Sequence, residues 1–151
     1  MTRFALFFFF LFFAKTAFSQ SVEQLEQQLK AASTPKEKMT LNYQLGTEYL
    51  KKDAKKSVEY AKAAHQKAVE TKNNGMAAEA SYLVARAYAR TNDDRNEDIW
   101  LGTATKFAML ANDADLIIKT VDQRSRLLQK DRNERKALQV VQEAFDYFSK
   151  K

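Results

Sequence analysis

Cysteine is absent from the 151 residues, which excludes disulfide staples, thiolate metal sites and cysteine nucleophiles. Proline occurs once and glycine three times, so neither a glycine-rich phosphate cradle nor the strained Gly-x-Ser-x-Gly turn of a hydrolase is present. A single histidine, His65, has no second histidine or cysteine with which to share a metal or a proton. Its neighbours Ala64, Gln66 and Lys67 place it on an exposed helical position. No stretch alternates β-branched and polar residues, which argues against strands. What remains is rich in Ala, Leu, Lys, Glu and Gln, the strong helix formers, so the expected class is all-α. With no convergent polar site in view, the chain reads as a non-enzyme that needs no cofactor and no metal.

The one strongly apolar run lies at the start. Thr2 and Arg3 precede Phe4 to Ala14, and Lys15 ends the run, at about half the length a membrane-crossing helix needs. Ala17-Phe18-Ser19 offers small residues where a signal peptidase reads, so residues 1–19 read as a signal peptide cut before Gln20. A periplasmic or secreted location follows. Cleavage leaves 132 residues, enough for one domain, and the loss of Arg3 and Lys15 lowers the net charge from +6 to +4. Acidic and basic residues are interleaved, an arrangement poorly suited to nucleic acid, and no later segment could span a bilayer.

Caps divide the mature chain. Ser21-Val22-Glu23-Gln24 opens a short leading helix within residues 20–33, whose Val22, Leu25 and Leu29 share a face. Thr34-Pro35-Lys36-Glu37 is a capping box with proline at the first helical position. Further starts are expected at Asp53, Asn74, Asp93 or Asp94, Asn112 or Asp113, and Arg132 or Asn133, for six main helices. Residues forty apart fall into matching classes: Ser57, Glu97 and Ala137; Ala61, Leu101 and Val141; Ala64, Ala104 and Ala144. Gly46, Ala85 and Ser125 recur at nearly the same interval, each followed three positions later by Tyr49, Tyr88 or Leu128. Two helices per period is the pattern of a helical-hairpin repeat.

Leu45-Gly46 with Tyr49, followed by Ser57, Ala61 and Ala64, resembles the tetratricopeptide repeat (TPR), as do Val84-Ala85 with Tyr88 and Ala137, Val141 and Ala144. The resemblance covers Thr34 to Lys150. It departs from the pattern at Glu97, where a small residue is expected, at Arg124, where a leucine-type residue is expected, and in a period longer than about 34 residues. The extra length is assigned to the turns at Lys72-Asn73-Asn74-Gly75 and Ala111-Asn112-Asp113. The order of segments is similar to the extracytoplasmic input region of bacterial TPR-type sensor histidine kinases.

The resemblance implies a right-handed TPR-like solenoid of about three hairpins, 34–73, 74–112 and 113–151, preceded by a short helix. It further implies a concave groove on the first helix of each hairpin. By position the groove takes Thr40, Tyr43, Thr47 and Lys51; then Glu79, Tyr82, Arg86 and Arg90; then Lys119, Asp122, Arg126 and Lys130. Such a face suits an acidic peptide or protein, arginine forks pairing with carboxylates and tyrosines offering stacking area. The expected function is therefore an exported adaptor that binds a protein or peptide. The alternative is a truncated or stand-alone sensory input module. The acidic run Asp93-Asp94-Glu97-Asp98 is read as helix capping, and Trp100 as packing between hairpins. Ala137, Val141, Ala144, Phe145 and Phe148 form the expected inward stripe of the last helix, an end read as pairing two copies in a homodimer, accepting a partner, or marking a truncation point.

Overall fold

The computed structural model describes residues 21–151; the signal-peptide assignment lies outside these residues. The described chain is all-helical: α1 (Val22–Ala31), α2 (Pro35–Lys52), α3 (Ala54–Glu70), α4 (Asn74–Arg90), α5 (Asp94–Ala111), α6 (Ala114–Lys130) and α7 (Glu134–Ser149). Each helix packs against the next in chain order, and α4 also touches both α2 and α6. None of these helices is long and apolar enough to cross a membrane.

Local chemistry explains where each helix starts. Ser21 and Thr34 form complete capping boxes with Gln24 and Glu37, while Asp53, Asn73, Asp93, Asp113 and Asn133 each accept a backbone N–H of the first turn. Those last five caps stand 20 residues apart. The sequence reading had placed the α4 cap at Asn74; the side chain that accepts from Met76 is that of Asn73, at 3.0 Å.

The links also differ from expectation. Extra length does not sit in the turns between hairpins: the links before α4, α5, α6 and α7 are all short and share one geometry. A left-handed residue, Lys72, Asn92, Asn112 or Arg132, has φ between 54° and 58°. The following cap then donates its N–H back to Ala68, Tyr88, Ala108 or Leu128 at 2.8–3.1 Å. The 40-residue period resides in the helices, 17 or 18 residues each from α2 to α6.

The core runs along the stack. Leu45, Ala61, Val84, Ala85, Leu101, Ala104 and Ile117 are fully enclosed. A Cβ on Gly46 would stand 3.1 Å from Leu83 Cδ2 and 3.2 Å from the Ala61 backbone nitrogen, so glycine lets α2 and α3 meet with Leu83 of α4 seated in their groove. Ser57, buried beside it, donates its hydroxyl to Gly46 O at 2.7 Å. Ahead of them α1 is held by Glu26, whose carboxylate accepts from Tyr49 and Tyr60 hydroxyls at 2.8 and 3.1 Å. Burial and this carboxylate push the Tyr60 hydroxyl up to about 12.

The inward stripe of the last helix is corrected. α7 buries Ala137, Val140 and Ala144, whereas Leu138, Val141, Phe145 and Phe148 are exposed. Val141 occupies the position of Ala61 and Leu101, but those two lie beneath the hairpin that follows. No hairpin among the described residues covers Val141, and this repeat position is exposed.

Candidate partner-binding groove

The two departures from the repeat pattern, Glu97 and Arg124, turn out to be one adaptation. Gln123 stands 40 residues after Leu83 and fills the equivalent groove of the second hairpin, where its Nε2 donates to the buried Glu97 carboxylate at 2.8 Å. Its Oε1 accepts from the Tyr82 hydroxyl at 3.2 Å. A polar plug therefore replaces an apolar one, and a carboxylate replaces the small residue. Beside it Arg124 Nε donates to Asp98 at 2.7 Å, and Lys136 donates to the other oxygen at 2.8 Å. Burial works against the charge on Asp98, yet the hydrogen bonds from Arg124 and Lys136 outweigh it and hold the carboxyl below its ordinary range.

Glu97 goes the other way: burial raises its pKa, and the Gln123 hydrogen bond only partly offsets this. A carboxyl raised on folding binds its proton more tightly in the native state, so its contribution favours folding at low pH. That contribution fades as pH climbs from the unfolded value of the acid through the folded one. Replacing Glu97 with Gln is thus expected to be more favourable to stability at pH 7 than at pH 4. Urea midpoints of both proteins across that range check it, and a pH-independent difference would contradict the assignment.

Of the groove residues, Lys51, Tyr82, Arg86 and Arg90 line one open depression of about 280 Å³, together with Gln123. Tyr82 is buried, and the Lys119 ammonium and Arg86 guanidinium lie 4.7 and 5.9 Å from its ring centroid. Tyr43 adjoins them, its hydroxyl donating to Glu79 at 3.4 Å. Burial, followed by the Glu79 charge, raises the Tyr43 pKa, while Arg86 pulls it down. These side chains come from α2, α4 and α6, each from a different hairpin.

The remainder do not join the cluster. Lys130 donates to Asp94 of α5 at 2.6 Å, and Arg126 pairs with Asp122 on its own helix at 3.0 Å. The Thr47 and Thr40 hydroxyls bond back to the carbonyls of Tyr43 and Lys36. The basic face is accordingly Lys51, Arg86, Arg90 and Lys119, which form no ion pair among the described residues. The sequence reading missed Gln123, although its 40-residue relation to Leu83 was available.

His65 is also corrected: it is half-buried, not exposed. Its ring meets Trp100 and Phe107 edge-on at centroid distances of 5.3 Å each, and its Nδ1 lies 2.9 Å from Ser81 Oγ. Ser81 spends its hydroxyl proton on Ala77 O at 2.7 Å, so Nδ1 carries a hydrogen and donates. Trp100 packs in the same seam, as expected of it. The acidic run is occupied by capping at Asp93 and by the pairs at Asp94, Glu97 and Asp98; among the described residues no cluster of potential metal ligands occurs. No family model, curated protein or solved structure matches this chain.

Proposed function

We propose that this chain is an exported TPR-like scaffold which holds an acidic peptide or protein segment against the shared face of α2, α4 and α6. The observation that carries the reading is the depression bounded by Lys51, Arg86 and Arg90 around the buried Tyr82 ring. Cations without carboxylate partners remain available to a ligand, and an arginine fork binds a carboxylate through two parallel hydrogen bonds. Tyr82 is held in place by Gln123 and forms the apolar floor between the cations. Repeats of matched helix pairs support the TPR-like arrangement, as does the passage of α4 between α2 and α6.

The test uses a fluorescent peptide of alternating Asp, Glu and Leu residues, titrated by anisotropy. Reversing Arg86 and Arg90 to Glu together is expected to weaken binding at least about a hundredfold, two charge-assisted contacts being lost. Helical circular dichroism should stay unchanged. Arg126→Glu, outside the depression, serves as the control with little effect. Equal affinity for the double variant and the wild type, or no binding by the wild type, would discard the groove.

A further inference from the structure

A second cavity lies on the opposite side of the hairpins, between the parallel helices α5 and α7, with a volume of about 530 Å³. The equivalent seam one repeat earlier is occupied by side chains. Between α3 and α5 the seam is filled by His65 packed edge-on against Trp100 and Phe107, with the Lys62 ammonium 5.5 Å from the Trp100 ring centroid. Moving each of these forty residues along gives the α5–α7 seam: Lys62 becomes Gly102, His65 becomes Thr105, Trp100 becomes Val140, and Phe107 becomes Tyr147. Four seam positions thus lose a lysine stem, an imidazole and an indole while keeping one aromatic ring. The groups that fill the first seam are missing from the second, and the cavity lies where they would stand.

The walls of that space are chemically graded. At one end Gly102 is covered by the Arg124 guanidinium, whose Nη atoms lie 3.2 and 3.4 Å from where a Cβ on residue 102 would stand. Only Nε of Arg124 is committed to Asp98. At the other end are Met109, Leu110 and Tyr147, the last anchored by its hydroxyl to Met109 O at 2.9 Å. Lys106 and Glu143 stand in the lining, and the Glu143 carboxylate already accepts from Gln139 at 2.9 Å. Arg124 and Lys136 share the single carboxylate of Asp98, so that with Lys106 three cations stand against two carboxylates, an excess that favours an anionic guest. From Gly102 to Leu110 the helix rises about 12 Å, the length of a small bicyclic acid and no more.

We propose that the α5–α7 cavity binds a small aromatic carboxylate. Its carboxylate meets Arg124 and Lys106, and its ring takes the place that Trp100 and His65 occupy in the preceding seam. The site shares no residue with the depression around Tyr82, so the two stand or fall separately.

The purified chain, labelled with nitrogen-15, is titrated with indole-3-acetate to about 1 mM, the weak end of specific binding. Saturable amide shifts at Gly102, Lys106 and Glu143 are expected, with tryptamine, the same ring bearing a cation, producing none. Val140→Trp restores the indole of the earlier seam and should abolish the shifts. Should that variant fail to fold, Lys106→Glu alters only an exposed side chain and is expected to weaken binding about tenfold. The proposal is overturned by an absence of saturable shifts, by shifts that cluster away from these residues, by tryptamine binding as tightly as indole-3-acetate, or by a folded variant that binds as the wild type does.

Discussion

Truncating Leu101 to alanine is expected to cost about 2–5 kcal/mol, whereas the same truncation of Val141 should cost less than about 0.5 kcal/mol. The two residues occupy one repeat position. Leu101 is fully enclosed, in a cluster with Ala85, Val121 and Leu128, so its removal both forfeits transfer free energy and leaves a void the rigid helix pair cannot close. Val141 is 46% exposed, and its loss trades a little apolar contact for the better helix propensity of alanine. Urea denaturation followed by circular dichroism measures both, with an unchanged slope marking an unchanged unfolded state. Similar losses at the two positions would mean that α7 is covered in solution by a surface not among the described residues.

The second large effect is expected at Gly46. Valine there would drive its branched side chain into Leu83 and the Ala61 backbone, contacts that a single Cβ already brings to 3.1 and 3.2 Å. Leu83 can rotate away, but a backbone nitrogen within α3 cannot, so the helices must separate. Overpacking of this kind costs about 1–3 kcal/mol, and separation would also stretch the 2.7 Å bond from Ser57 to Gly46 O, placing the total near 3 kcal/mol. Alanine should be far milder, because relief from glycine returns about 1 kcal/mol of helix propensity against a smaller clash. Urea midpoints ranked wild type, then alanine, then valine would agree; a valine variant as stable as the wild type would refute the close approach.

Much of the fold was legible because capping is local. Ser21, Thr34 and Asp53 satisfy first-turn N–H groups within their own few residues, and no distant partner has to be known for that to be read. Burial is not local. Val141 carries the repeat's apolar signature, yet its exposure depends on whether another hairpin stacks on it, which residue spacing does not encode. His65 failed for the same reason: its flanking Ala, Gln and Lys suggest surface, and only the stacking of α5 brings Trp100 and Phe107 over it.

The groove was half legible. Helical spacing put Tyr82, Arg86 and Arg90 on one stripe, and α2 duly supplies Lys51 beside them. Pairing across helices was invisible to it, so Lys130 was counted although Asp94 of α5 takes it up. Glu97 and Arg124, which weakened the repeat pattern, are explained once Gln123 and Asp98 are seen opposite them.

The identical links at Lys72, Asn92, Asn112 and Arg132 bear on how such a chain tolerates change in length. Gaining or losing a whole 40-residue unit leaves every later helix with its old direction and phase, so the stack could grow or shrink by duplication and deletion without redesign of its joints. A single inserted residue within a helix, by contrast, would turn the rest of that helix by about 100° and present its charged side to its neighbours. The architecture is permissive in large steps and intolerant of small ones.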